Sequence, residues 1–287
     1  MGRIHIVTDS SVRFLTPSVL ELSPITVAPM TLRGGGTRVE EHLGADLQSV
    51  RILFEQGDGL PTAEPPSQEL LAEIYGSIQK EANQILSIHA SSHLSRTVAN
   101  AQVASQRFLG RSDIQVIDSQ TISVGLGFLV QAAAEAVARG EDFEEVVRII
   151  RGMIPRLYMV FFLDDLAFLE HNDLISRSQA ILGNMLGIIA FLTLEEGRLM
   201  PMEKVRSRTR AIEKMVEFVS EFSFVEHLAI LHSGLYAADE PRAIAERLRD
   251  LNPHAPISFS TYGPSLATIV GLRGIGVAVL EAEEVKL

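Results

Sequence analysis

Through the first half of the chain, short β-branched runs alternate with longer stretches of helical periodicity. Residues 4–8, 26–32, 85–89 and 114–118 carry the Ile, Val and Thr enrichment of strands. Residues 67–81, 94–108 and 124–139 space their apolar side chains three and four apart, as one face of a helix requires. Crossovers of this length between short strands predict a parallel sheet covered on both faces. Gly140-Glu141-Asp142 closes one helix, residues 143–153 begin another, and Pro155 breaks the pattern.

The second half opens with a strand pattern at 157–163, then helical patterns at 165–170 and 176–186. Strands at 188–194 and 199–202 flank the turn Glu195-Glu196-Gly197-Arg198. A long amphipathic helix over 207–220 follows. Strand–helix–strand units then occupy 228–232, 241–251 and 257–262, and an apolar strand covers 274–280. The expected fold class is α/β in two domains: an N-terminal parallel-sheet domain, residues 1–155, and a C-terminal α/β domain with a mixed sheet, residues 156–287. A length of 287 residues exceeds a typical single domain and suits two.

Polar residues gather where the strands end. Thr8-Asp9-Ser10-Ser11 follows the first strand. Ser91-Ser92-His93-Leu94-Ser95-Arg96-Thr97 follows the strand at 85–89, and Asp118-Ser119-Gln120-Thr121 follows 114–117. Open α/β sheets bind ligands outside their strand carboxyl ends, so several loops here would build one polar site. The alternative is that Asp9, Ser10, Ser92 and Ser119 cap the helices that follow.

A formal net charge of −11 argues against general nucleic-acid binding and against adhesion to an anionic membrane. The absence of cysteine excludes disulfides, thiolate catalysis and Cys-based metal sites. The N-terminus runs directly into a strand with no leader-like segment. The longest apolar stretch, 181–194, is too short for a bilayer span of about 20 residues and contains Asn184. A cytoplasmic protein with no stable membrane insertion is expected. No dinucleotide fingerprint, P-loop or nucleophile elbow occurs, and no cofactor is expected. His89 and His93 straddle a strand end instead of sharing a helix face, so they make a poor metal pair, and His232 reads as structural. Asp164-Asp165, being adjacent, do not face each other as an acid–base pair would; helix capping suits them better. Lys204, Arg206, Arg208 and Arg210 would share one face if extended, forming a patch for an acidic partner, or else a solvated helix start.

In order and spacing, these motifs resemble those of DegV family proteins, which bind fatty acids. Thr8-Asp9-Ser10-Ser11 is similar to the family's opening Thr-Asp-Ser. Leu94-Ser95-Arg96-Thr97 resembles its Leu-Ser-Gly-Thr. Asp118-Ser119 with Gly125-Leu126-Gly127 resembles its Asp-Ser…Gly-Leu-Gly segment. Residues 166–176 with Gly183, Gly187 and Ile188, then Gly197-Arg198-Leu199 and Lys204-Val205-Arg206, follow the second-domain pattern. Gly271 and Gly276-Val277-Ala278 follow its C-terminal glycines. The resemblance implies a non-catalytic carrier with an apolar tunnel for a long-chain fatty acid, its carboxylate at the domain interface and a fatty acid kinase as partner. Burial of about 0.8 kcal/mol per CH₂ would hold the chain.

The resemblance also implies which residues hold the carboxylate. The family's Thr and Ser fall on Thr62 and Ser95. Its Arg falls on Leu174 and its His on Ile269, so both strong partners are aliphatic here. Charge-assisted bonds are roughly twice as strong as neutral ones, so a replacement cation is expected. Arg96, beside Ser95, is the favoured candidate, with Arg273 and Arg177 behind it. A changed ligand head group is the other remedy. Asp9, Ser10 and Ser92 would shape the loops around the site. Ile181, Leu182, Leu186 and Ile189 are candidates for the acyl chain, each also readable as helical core. Two alternatives stand beside the carrier: an enzyme using the strand-end Ser/Thr/Asp cluster on a phosphorylated or keto substrate, and a pocket degenerated to a structural role.

Overall fold

The computed structural model describes residues 3–55 and 59–283. Before Pro155 the strands are β1 (Ile4–Asp9), β2 (Ile25–Ala28), β3 (Met30–Gly34), β4 (Thr37–Glu41), β5 (Thr62–Glu64), β6 (Gln84–His89) and β7 (Asp113–Asp118). After it come β8 (Leu157–Leu163), β9 (Ile189–Glu195), β10 (Arg198–Val205), β11 (Val225–His232), β12 (Ile257–Thr261) and β13 (Ile275–Glu281).

The first sheet has the order β2-β1-β6-β7, and every pairing is parallel. Its strands are apolar on both sides because both sides are covered. Ile6, Leu86 and Ile88 face the layer that holds helix Val124–Ala138. Val7 and Ile85 face helices Gln68–Ile78 and Thr97–Ser105. The second sheet, β10-β9-β8-β13-β11-β12, is mixed: β11 and β12 run parallel and the other pairs antiparallel. Alternation along β8 sends Met159, Phe161 and Leu163 to one core and Val160 and Phe162 to another. The first of these cores is continuous with the N-terminal half. The second lies beneath helices Arg208–Val219 and Asp239–Leu251.

A third, small sheet, β4-β3-β5, is antiparallel and was not expected. The single strand expected at 26–32 is two strands, each in a different sheet. Pro29 separates them: it lacks an N–H for the ladder, and the chain changes sheets there. Helix Pro264–Val270 was also not expected, because all seven of its residues are buried and no polar face marks its period.

The extended reading of the basic run is corrected. Lys204 lies in β10, which runs on to Val205. Arg208 and Arg210 lie in a helix capped by Ser207. Arg208 instead joins its own helix to helix Asp239–Leu251 and to the loop after β8. It donates to Glu240 at 2.7 and 2.8 Å and to Asp164 at 2.9 Å, and stacks 4.9 Å from the Phe162 ring centroid. No helix among the described residues is long and apolar enough to cross a membrane.

Helix Val124–Ala138 packs tightly on the loop after β1. A methyl group on Gly127 would collide with the Arg13 carbonyl, so Gly127→Ala is expected to cost about 2 kcal/mol as overpacking. Gly152 has open space around its Cβ position, so Gly152→Ala is expected to be neutral or stabilising by up to about 1 kcal/mol. Urea denaturation of the two variants checks this contrast; equal midpoints would refute it.

Candidate ligand site

The carboxyl ends of β1, β6 and β7 lie side by side; that of β1 is buried, while Ser92 and Gln120 beyond β6 and β7 are exposed. Asp9 is fully buried, and a buried carboxylate must be compensated. Ser11 donates to it through its N–H at 3.2 Å and its hydroxyl at 2.5 Å, and Ala90 N–H donates at 2.9 Å. His89 Nδ1 lies 3.2 Å away. Burial alone would raise the Asp9 pKa, but the His89 hydrogen bond and charge, with Ser11 and Ala90, hold it below the ordinary value. Behind His89 the chain of contacts continues to Ser87 and Tyr75 at 2.7 Å each. Burial pushes the Tyr75 hydroxyl up to about 12.

Neither capping nor an open pocket describes these residues. The Ser10 hydroxyl accepts from Met30 N–H at 2.8 Å and so anchors the start of β3. Ser92 binds Asp118 through both its N–H and its hydroxyl, and Ser119 closes a turn with Thr121. None of them caps a helix. The β9–β10 turn reaches these loops from the other half of the chain: the Ser91 hydroxyl donates to Gly197 O at 2.7 Å. Gly197 has φ +79°, and a Cβ there would strike Ser91 and Gln120. Asp9 and Ser10 therefore shape the loops and do not meet solvent.

The remaining candidates sit on elements that touch. Helix Pro264–Val270, carrying Ile269, packs on β3, β5 and helix Ala167–His171. Thr62 is exposed at the start of β5, opposite Arg33. Asn172 Nδ2 donates to Thr268 O at 2.9 Å, tying the loop of Leu174 to that helix. Asn100 Nδ2 donates to Pro66 O at 2.8 Å and ties the helix after Ser95 to the segment after β5. Ser95, half-buried, bonds Thr97 Oγ1 at 2.7 Å. Ile269 is buried, and Leu174 packs against the same core. Arg96 and Arg177 are exposed. Arg273 lies 3.6 Å from Asp164 and 5.2 Å from the Tyr236 ring centroid.

Two clefts adjoin this region. One, of about 220 Å³, has an apolar wall of Phe54, Leu60, Phe168, Val270 and Leu272 and a charged one of Glu55, Asp164, Asp165 and Arg273. The other, of about 120 Å³, lies beneath helix Arg177–Met185, with Leu166, Leu169, Leu182, Leu186 and Ile188 in its walls. Of the four acyl-chain candidates, Leu182 and Leu186 line it. Ile181 is 53 % exposed, so it is not core. Ile189 is buried in the core on the other side of the sheet, because strand alternation turns it away. Among the described residues, no group of three His, Asp or Glu side chains is arranged to hold a metal.

A family model described as "Uncharacterised protein, DegV family" matches residues 3–282. The chain belongs to the DegV family. A DegV domain-containing protein of Streptomyces coelicolor is 31% identical over 278 residues, 96% of this chain and 98% of the relative. A fatty acid binding DegV family protein from Thermus thermophilus is 27% identical. It superposes with a TM-score of 0.81 over 98% of this chain and 100% of its own. The Streptococcus pneumoniae fatty acid kinase (Fak) B3 protein loaded with linoleic acid shares the fold at a TM-score of 0.84 and 18% identity, over 98% and 100% of the two chains.

Sequence reasoning missed one feature of this DegV chain, the buried pair Arg13–Glu41. The Arg13 guanidinium donates to the carbonyls of Ala45, Val12 and Ser10 and lies 3.6 Å from Glu41 Oε1. Ser265 N–H, on the helix of Ile269, lies 3.3 Å from Glu41 Oε2. Gly263 leaves room for the pair; a side chain there would run into both groups. Burial raises the Glu41 pKa to about 7, and Arg13 and Ser265 offset it only in part. The one sequence signal was period two, which puts Glu41 on the face of Val39.

A carboxyl whose pKa is raised on folding stabilises the fold fully below its unfolded pKa and loses that contribution as pH rises through its folded pKa. For Glu41 the window runs from 4.5 to about 7. Across it, Glu41→Gln is expected to gain stability relative to the parent by about 3 kcal/mol, at ~1.4 kcal/mol per unit. Chemical denaturation of both proteins at pH 4.5 and 8 checks this; a pH-independent difference would refute it.

Proposed function

We propose that this protein binds a long-chain fatty acid or a closely related acyl lipid and acts as its carrier. The observation that carries this reading is the whole-chain likeness to the Thermus DegV protein. We take residues 1–155 and 156–287 as its two domains, with the head group near their junction. Thr62 and Ser95 are the head-group hydroxyls, and Arg96 is the cation nearest them in sequence. The clefts flanking helix Ala167–His171 supply apolar surface for the acyl chain. A kinase acting on the acyl carboxylate is the partner this reading implies, in keeping with the name of the Fak B3 protein. A non-catalytic role is supported by the burial of the β1 end: Asp9 and Ser10 are fully buried and hydrogen-bonded, so a substrate has no access to them.

A second reading concerns the head group alone. Leu174 and Ile269 offer no charge, which favours an acyl lipid whose head is not a carboxylate.

Binding of a long-chain fatty acid, its alcohol and its methyl ester separates the two readings. Under the first, the acid binds tightest. Ser95→Ala and Arg96→Ala each weaken it roughly tenfold or more, the scale of a lost bond to a charged group. Equal affinity for all three heads, unchanged in both variants, would overturn the head-group assignment. Leu174→Arg is expected to strengthen binding of the acid by about tenfold and leave the ester unchanged; displacement of a fluorescent acyl probe measures it.

A further inference from the structure

A groove of about 650 Å³ lies away from these clefts, within the volume range of small-molecule sites. It runs between the β9–β10 turn, the segment Ile154–Tyr158 and the end of helix Arg208–Val219. Three aromatic rings form a corner in it. The Tyr158 and Phe222 centroids are 4.7 Å apart at 55°, and those of Phe218 and Phe222 are 5.3 Å apart at 66°. All three rings are only partly buried, and all three line the groove. Glu195, Glu196, Glu221 and Glu281 also line the groove, and no Lys, Arg or His does. Among the described residues none of these four carboxylates is in a salt bridge, although Glu41, Asp164, Glu226 and Glu240 are. The acidic groups come from three separated segments, so the negative charge is spread along the groove.

Aromatic rings are attractive to cations, most of all to weakly hydrated organic ones, and carboxylates outside salt bridges supply the complementary charge. A metal ion is a poor fit, since hard cations need several converging oxygens. We propose that this groove binds a small polyvalent alkylammonium, a polyamine-like molecule, with one ammonium at the aromatic corner and a second at the Glu195–Glu196 turn. The methylenes between the charges would lie on Leu194, Met202 and Leu157, which also line the groove. This site is independent of the acyl-lipid reading.

Calorimetric titration of the full chain with spermidine at near-physiological salt tests the proposal. Saturable one-to-one binding is expected. Phe222→Ala is expected to weaken it roughly tenfold, the upper scale of a cation–π contact. Because Phe222 also packs on the second core, the surface double variant Glu221→Gln/Glu281→Gln provides a second reading and is expected to weaken binding by a similar factor. No saturable binding, or binding unaffected by the double variant, would overturn the proposal. So would displacement of spermidine by equal concentrations of magnesium, which would mean charge screening alone. Binding of a lysine-rich peptide without binding of spermidine would overturn it in favour of a protein partner.

Discussion

The buried carboxylate of Asp9 constrains everything around it. Charge cannot be left uncompensated in a core, so its four contacts must come from somewhere. They come from the loop after β1 and from the end of β6, which locks the two strand ends together. That lock uses the polar groups an α/β sheet would otherwise offer to a ligand. The Ser91–Gly197 bond then ties the β9–β10 turn of the second half of the chain to the loop after β6. With Asp9 and Ser10 buried, the site proposed above draws instead on Ser95 further along that loop and on the apolar surface around helices Ala167–His171 and Pro264–Val270.

That surface is electrostatically unusual. The positions where the DegV resemblance implies Arg and His carry Leu174 and Ile269, packed on the core. Charge has not left the neighbourhood. It sits one layer deeper, in Arg13 and Glu41, with Glu41 touching the helix of Ile269 through Ser265. Breaking such a buried pair leaves an uncompensated charge, so the pair restrains β4 and the helix together.

Long, strongly patterned elements were legible in the sequence. Residues 143–153 and 157–163 read correctly to the residue, because an amphipathic helix and an apolar strand each meet a clear boundary at Pro155. The small sheet was not legible. β4 is charged and β5 has three residues, so pairing with β3 defines them, not propensity. Helix Pro264–Val270 was hidden for a related reason: a segment buried on every side shows no period. At the proposed site, motif order put forward Thr62, Ser95, Leu174 and Ile269; the elements of Thr62 and Ile269 pack together, and Asn172 and Asn100 tie the segments of Leu174 and Ser95 to their neighbours. Arg13–Glu41 escaped because its partners are far apart in sequence and neither belongs to a recognised motif.

The most direct measurement is organic extraction of the purified protein followed by mass spectrometry of what comes out. The account predicts about one equivalent of a long-chain acyl lipid, a fatty acid if Arg96 or another cation serves the head group. Protein that yields no acyl lipid, and takes up none when long-chain fatty acid is supplied, would contradict it.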